Sequence, residues 1–392
     1  MLEASYAGIN PKAAAGVDAE SYAAYGARKG ERLPELLGEF KSGRYKAPPV
    51  RRIYMEKGKG KLRPIGIPTT EDKVLQNAVR MVLDPIYEGM FYDFSYGFRK
   101  EKSQHMALER LWHEIRATGA RYILDADIQD YFGSIDFVEL RKMLDQRVKD
   151  GVIRKQIDKW LKAGVMEGTQ VEYAERGTPQ GGIISPLLSN VYLHEVLDKW
   201  YAEMVKPLLK GRTFLVRYAD DYIMGFEYKE DAEKVMAVIF KRFAKYGLVL
   251  HPEKTQLIEF VPGKTGQVFT FLGFTHYWGK SRKGNWVVKR RTSSKSMTKA
   301  LKRVNQWLKK NRHRPFWDII AGLNRKLTGH YGYYGITFNA QGINRYYYEV
   351  ARLLYKWLNR RGGKRKRTLD SFYTFLSTHQ PLKMPRIVHS YL

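Results

Sequence analysis

The chain has 392 residues, no cysteine and a formal net charge of +29, with 44% hydrophobic and 28% charged residues. This describes a globular protein with room for two or three domains, not a disordered one. The lack of cysteine excludes disulfides and thiolate metal sites, and neither an apolar run near 18 residues nor a charged-then-apolar leader is present, so a soluble, cytoplasmic protein without a membrane partner is expected.

The first hundred or so residues hold helical stretches, then a basic segment punctuated by Gly and Pro over 51–68 that includes Lys61 and Arg63. Over 71–87, Val74, Leu75, Ala78, Val79, Val82, Leu83 and Ile86 recur at helical period. Tyr122, Leu124, Ala126 and Ile128 alternate with Ile123, Asp125 and Asp127, predicting a strand buried on at least one face with Asp125 and Asp127 on the same side. Helix signals follow at 186–197 and 231–246. Between them, apolar runs flank Tyr218-Ala219-Asp220-Asp221 over 214–226, predicting a β-hairpin with two carboxylates at its tip.

Adjacent carboxylates repel, so Asp220 and Asp221 gain nothing structurally from each other. A divalent cation removes that repulsion and takes carboxylate oxygens as hard ligands. The plainer alternative is a polar turn that happens to be acidic. Asp127 shifts the balance, because two-metal phosphoryl transfer needs carboxylates from separate strands holding cations roughly 3.5–4 Å apart.

The charge is unevenly spread. Residues 280–392 hold 27 of the 69 basic residues and three acids, Asp318, Glu349 and Asp370, and 280–315 has 14 basic residues and no acid. Such a field suits a polyanion held through phosphate contacts. An anionic membrane is the alternative, but no strongly apolar anchoring face accompanies the charge. Within this region Leu301, Val304 and Leu308 repeat at helical spacing while Lys302, Arg303, Lys309 and Lys310 take other faces. A longer amphipathic helix is expected over 343–358, with Gly362 and Gly363 as its stop, and a third over 369–376. The tyrosines of 330–335 and 345–348 are read first as packing between helices and second as stacking on bases, and the basic run 364–367 as a phosphate contact.

Three segments, YADD at 218–221, ADIQDYF at 126–132 and GTPQGGIISPLLSN at 177–190, resemble the catalytic blocks of reverse transcriptases, more narrowly those encoded by bacterial group II introns. The likeness continues at 15–18, 43–48, 58–76, 94–99, 247–260, 271–276 and 385–389, in family order over almost the whole chain. It implies an α+β right-hand polymerase: fingers over 1–120, a palm with interleaved fingers elements over 121–279, and a basic helical thumb or maturase (X) domain over 280–392.

On matching positions, the resemblance makes Asp127 and Asp220 the principal metal ligands, Asp221 a supporting carboxylate and the Ile128 carbonyl a further contact, for two Mg²⁺ ions with Mn²⁺ as a substitute. Phe132 would lie under the sugar and exclude a 2′-hydroxyl. Gln180 would touch the incoming nucleotide, Lys61 and Arg63 would clamp its triphosphate, and Lys254 would help protonate the leaving pyrophosphate. Phe271, Leu272, Gly273 and Phe274 would grip the primer terminus, although a buried strand edge reads the same way. Lys289, Arg290, Arg291, Lys302, Arg303, Lys309, Lys310, Arg360 and Arg361 are the expected RNA-binding cations.

The implied activity is RNA-directed DNA polymerisation with an RNA template, a DNA primer and dNTPs, joined to binding of group II intron RNA that assists splicing and retrohoming, without an endonuclease domain. A free-standing enzyme serving phage defence, CRISPR adaptation or DNA repair is the alternative. A non-catalytic RNA chaperone is a third reading, against which Asp127, Asp220, Asp221 and Phe132 stand, since binding alone needs none of them.

Overall fold

The structure is a computed structural model that describes residues 1–58, 61–167, 170–173, 181–264, 266–361, 368–379 and 381–391, with the backbone alone for 56–58, 61 and 63. The chain divides into two compact units, Met1–Leu257 and Ile258–Leu392. Residues 258–279, which the resemblance assigns to the palm, fold with the second unit.

In the first unit, α1 (Leu2–Ala7) and α2 (Tyr22–Lys41) precede a hairpin of β1 (Val50–Gly58) and β2 (Lys61–Ile67). Helices α3 (Thr70–Glu88) and α4 (Gln104–Thr118) lead to β3 (Tyr122–Ala126), the short α5 (Tyr131–Ser134), α6 (Phe137–Asp145) and α7 (Gly151–Leu161). Strands β4 (Val165–Glu167) and β5 (Gln170–Glu172) are followed by α8 (Ser185–Leu193), which widens into π-helical turns as far as Val205. Then come β6 (Thr213–Tyr218), β7 (Asp221–Phe226) and α9 (Lys229–Lys245), with β8 (Gln256–Glu259) at the boundary. Two four-stranded sheets result, in the orders β2-β1-β4-β5 and β6-β7-β3-β8.

Local chemistry explains the helix starts. Ser21, Thr69, Ser103, Asp136 and Asp150 each accept a hydrogen bond from a backbone N–H of the turn that follows, capping α2, α3, α4, α6 and α7. The apolar period read over 71–87 becomes the buried stripe of α3, with Val74, Leu75, Val79 and Leu83 in the core. That core joins Leu124, Ala126 and Ile128 to Tyr222, Met224, Phe226, Leu188 and Val191, so the acid-bearing strands rest on one packed layer.

The second unit pairs β9 (Phe269–Phe271), β10 (Phe274–Lys280) and β11 (Trp286–Thr292) in the order β11-β10-β9, ahead of α10 (Ser294–Asn311), α11 (Phe316–Tyr334), α12 (Ala340–Leu358) and α13 (Leu369–His379). The three expected helices are α10, α12 and α13. The additional helix α11 went unread because Gly322, Gly329 and Gly332 interrupt its helix propensity, and packing supplies what propensity lacks. Ile319, Ile320, Leu323 and Leu327 of α11 pack with Val304, Leu308, Val350 and Leu354. Among the described residues, no helix is long and apolar enough to cross a membrane.

Candidate active site

Strands β3 and β7 pair antiparallel, with Asp125 opposite Ile223 and Ala126 opposite Tyr222. The residues that follow this last pair are Asp127, just past the end of β3, and Asp221, the first residue of β7. Strands β6 and β7 pair from Thr213–Phe226 up to Tyr218–Asp221, leaving Ala219 and Asp220 as the two-residue tip. The acidic hairpin read from the sequence is therefore present, and the end of one sheet gathers Asp127, Asp220 and Asp221. Ala219 turns the corner with φ +56°, a left-handed conformation that costs a non-glycine residue about 1–2 kcal/mol.

Past β3, the His251 N–H donates to the Asp127 carbonyl (2.8 Å) and the Gln129 N–H to the Val249 carbonyl (2.8 Å), flanking an Ile128–Leu250 bridge. In that pattern Ile128 is the non-hydrogen-bonded member, so its own carbonyl points away from Leu250. The Lys254 ammonium donates to the Asp127 carboxylate, with both groups substantially exposed. Beneath the acids, Tyr222 is fully buried, and burial followed by the charges of Asp125 and Asp127 holds its phenol well above the ordinary value. Burial likewise raises Tyr131, whose hydroxyl donates to the Ser189 carbonyl at 2.6 Å, and the charge of Asp220 adds to the shift.

Phe132 is half-buried and meets the Tyr131 ring edge-on at 5.4 Å between centroids. Gln180 lies outside the described residues, as do the side chains of Lys61 and Arg63 and the whole of 364–367. Next to Gln180, Gly181 has φ +123°, and a Cβ there would stand 2.2 Å from the Gly66 carbonyl of β2. The close approach that the glycine permits is thus to β2. The Gln76 side-chain oxygen (Oε1) accepts from the Ile183 N–H at 2.8 Å and fixes the start of the segment after that turn.

Among the described residues, no three His, Cys, Asp or Glu side chains stand close enough to form a ready cage for a metal ion. The donors gathered at the sheet end are nevertheless carboxylates and a carbonyl, hard oxygens suited to Mg²⁺ or Mn²⁺. By donor type they suit such a cation, and in this structure the Lys254 ammonium is bonded to the Asp127 carboxylate.

In the second unit, Phe271 and Phe274 are buried and paired across Leu272 and Gly273, both of positive φ, the conformation of a type I′ turn. The Tyr333 hydroxyl donates to the Leu272 carbonyl at 2.8 Å. Only the Leu272–Gly273 turn is accessible, so the two rings serve the core. Lys302, Arg303, Lys309, Lys310, Arg291 and Arg360 are exposed, and Lys289 is half-buried. Arg361 is partly buried and donates to the Arg314 carbonyl. Arg290 departs from its expected place on the surface: strand alternation turns it from the Lys289 and Arg291 face, and it is fully buried with its guanidinium over the Tyr391 ring. Tyr331, Tyr346 and Tyr347 are buried between helices, while Tyr348 is exposed.

Reading along the chain missed Arg217, Asp198, Asn190 and Gly97, which surround the hairpin tip. The guanidinium of Arg217 pairs with Asp198, both at zero exposure, and also reaches Asn190 and the Ala219 carbonyl. A basic residue following the apolar run Phe214-Leu215-Val216 was the available signal.

Comparison with known proteins adds an independent line. The family model described as reverse transcriptase (RNA-dependent DNA polymerase) matches residues 55–276, and that of the group II intron maturase-specific domain matches 297–373. The group II intron-encoded protein LtrA of Lactococcus lactis subsp. cremoris is 44% identical over 175 residues, 44% of this chain and 29% of that protein. Protein YkfC of Escherichia coli (strain K12) is 34% identical over 239 residues, covering 53% of this chain and 62% of the relative. A 91 kDa protein in the cob intron of Schizosaccharomyces pombe is 33% identical over 207 residues, 51% of this chain and 25% of the relative. The chain thus spans less than two thirds of the length of each of these relatives.

Proposed function

We propose, for a chain that belongs to the reverse transcriptase (RNA-dependent DNA polymerase) family and carries a group II intron maturase-specific domain, that it copies RNA into DNA at the acidic sheet end and also holds a group II intron RNA. One observation carries the catalytic half: the β3–β7 register and the β6–β7 tip bring Asp127, Asp221 and Asp220 to one end of one sheet. Asp127 and Asp220 would hold Mg²⁺, with Asp221 and the Ile128 carbonyl in support. When bound, such cations make the primer 3′-hydroxyl a better nucleophile and neutralise charge on the triphosphate. Phe132 would exclude a ribose, and Gly181 carries the backbone next to Gln180 tight against β2.

The RNA half rests on the match over 297–373, on the name of the Lactococcus relative and on the exposed cations of α10. Primer extension on an RNA template tests the two halves together. Asp220→Asn is expected to abolish extension in Mg²⁺ while leaving RNA affinity within about twofold, because a lost metal ligand touches chemistry and not the basic helices. Continued extension by this variant at a comparable rate would remove Asp220 from the site.

A further inference from the structure

The tip that carries Asp220 is clamped from within the protein. All donor-bearing edges of the Arg217 guanidinium are engaged: Nε and Nη2 donate to the two oxygens of Asp198 at 2.7 and 2.5 Å, and Nη1 donates to the Asn190 side-chain oxygen at 3.1 Å and the Ala219 carbonyl at 3.0 Å. Asn190 in turn donates to the Gly97 carbonyl at 2.7 Å. Gly97 leaves no room for a side chain, since a Cβ there would lie 2.1 Å from the Ala219 nitrogen. The main chain of Arg217 also bonds to the 94–97 segment, its N–H to the Phe94 carbonyl at 2.8 Å and its carbonyl to the Tyr96 N–H at 2.9 Å. The strained residue immediately before Asp220 is thus confined at its nitrogen and bonded at its carbonyl.

A fully buried ion pair is weak as a source of stability, because desolvating both charges offsets their attraction. Hydrophobic residues of similar volume would fill the same space without charges to desolvate, at the cost of the donor that Arg217 gives the Asn190 oxygen and the Ala219 carbonyl. What they could not do is direct a hydrogen bond at the Ala219 carbonyl while bracing Asn190, a task that suits a planar guanidinium. Asp198 stands in a π-helical turn, His194–Asp198, a helix distortion that recurs at functional sites.

We infer that Arg217, oriented by Asp198 and Asn190, is a positioning residue for polymerisation: it sets the Ala219 peptide so that Asp220 meets the metal and the reacting phosphate. This inference rests on the proposed role of Asp220. It makes the buried pair a device of geometry rather than of stability.

The test compares the full-length protein with the paired apolar variant Arg217→Met/Asp198→Leu and with Arg217→Lys, with rates referred to the folded fraction. The paired variant removes both charges together and should still fold, its melting temperature lowered no further than the loss of a donor to the Asn190 oxygen and the Ala219 carbonyl requires. Its kcat in primer extension is expected to fall about 10- to 100-fold, the scale of a displacement near 1 Å, with KM for dNTP changed less than about threefold. Apo-protein affinity for Mn²⁺, read by calorimetry, should weaken in parallel. Arg217→Lys keeps the charge beside Asp198 but cannot span Asp198, Asn190 and Ala219 at once, so it should be stable and also slow. Wild-type kcat and Mn²⁺ affinity in either folded variant would overturn the inference and leave the pair purely structural. If the paired variant does not fold, Arg217→Lys decides alone. Asp220→Asn, run alongside, separates the two levels: an active Asp220→Asn refutes the site itself, whereas an inactive one beside a fully active Arg217→Lys refutes only the positioning role.

Discussion

Phe132, proposed to exclude a ribose, depends for its position on its neighbours. It lies two residues after the left-handed Asp130 and packs, partly buried, against the core beside Tyr131, which is locked by its bond to the Ser189 carbonyl. In the proposed role, a ring braced in this way would not retreat easily from a 2′-hydroxyl. Phe132→Ala is therefore expected to raise ribonucleotide over deoxyribonucleotide use at least tenfold, about 1.4 kcal/mol of lost discrimination. The ratio of kcat/KM for matched rNTP and dNTP substrates measures it, and an unchanged ratio would return Phe132 to the role of a core aromatic. Asp220 and Asp221 were legible because adjacent carboxylates at a turn demand an explanation. Arg217 was not, because its partners Asn190 and Asp198 lie 27 and 19 positions away and only the folded chain assembles them.

At the scale of elements, α3 is the clearest case of a pattern read correctly and a purpose left unread. Its apolar period identified the helix, yet its first turn also carries the buried Asp72, which accepts from Trp160 of α7 at 2.6 Å, from Gln76 at 2.8 Å and from the Tyr45 hydroxyl at 3.1 Å. Gln76 passes the connection to the Ile183 N–H, 107 positions along the chain. No local period encodes such a junction, just as none encoded α11 through its three glycines. Burial pushes the Asp72 carboxyl up to about 6, against the pull of its three donors. An unfolded aspartate titrates near 3.9, so the folded state holds the proton more tightly. The resulting stability term is fully present below about pH 4 and is lost as pH rises through 6, a change of about 3 kcal/mol. Asp72→Asn removes that term. Urea unfolding at intervals from pH 4 to pH 7 should show wild type losing stability relative to the variant as pH rises, and parallel curves would contradict the buried-acid account.

Across the whole molecule, charge is segregated along the sequence. Residues 280–392 hold 27 cations and three acids, so most of these cations have no acid in their own segment to neutralise them. The helices α10 to α13 nonetheless fold around a continuous apolar core, which leaves the charge on the outside: Lys302, Arg303, Lys309 and Lys310 are exposed on α10, while Val304 and Leu308 face inward. A surface of this kind repels itself until a polyanion arrives, and its binding free energy then comes largely from released counterions. RNA affinity should therefore fall steeply with salt. Replacing Lys302, Arg303, Lys309 and Lys310 with glutamine should lower the slope of log K against log salt by about 0.7–0.9 for each phosphate left without its cation, roughly 3 if each of the four side chains meets one. Because the side chains project into solvent, the melting temperature should hold or rise as like-charge repulsion is relieved. Fluorescence anisotropy with a structured RNA across a salt series reads the slope directly. A full wild-type slope in the quadruple variant would mean that the phosphates lie against another face, and the exposed cations Arg291 and Arg360 would be the next to neutralise.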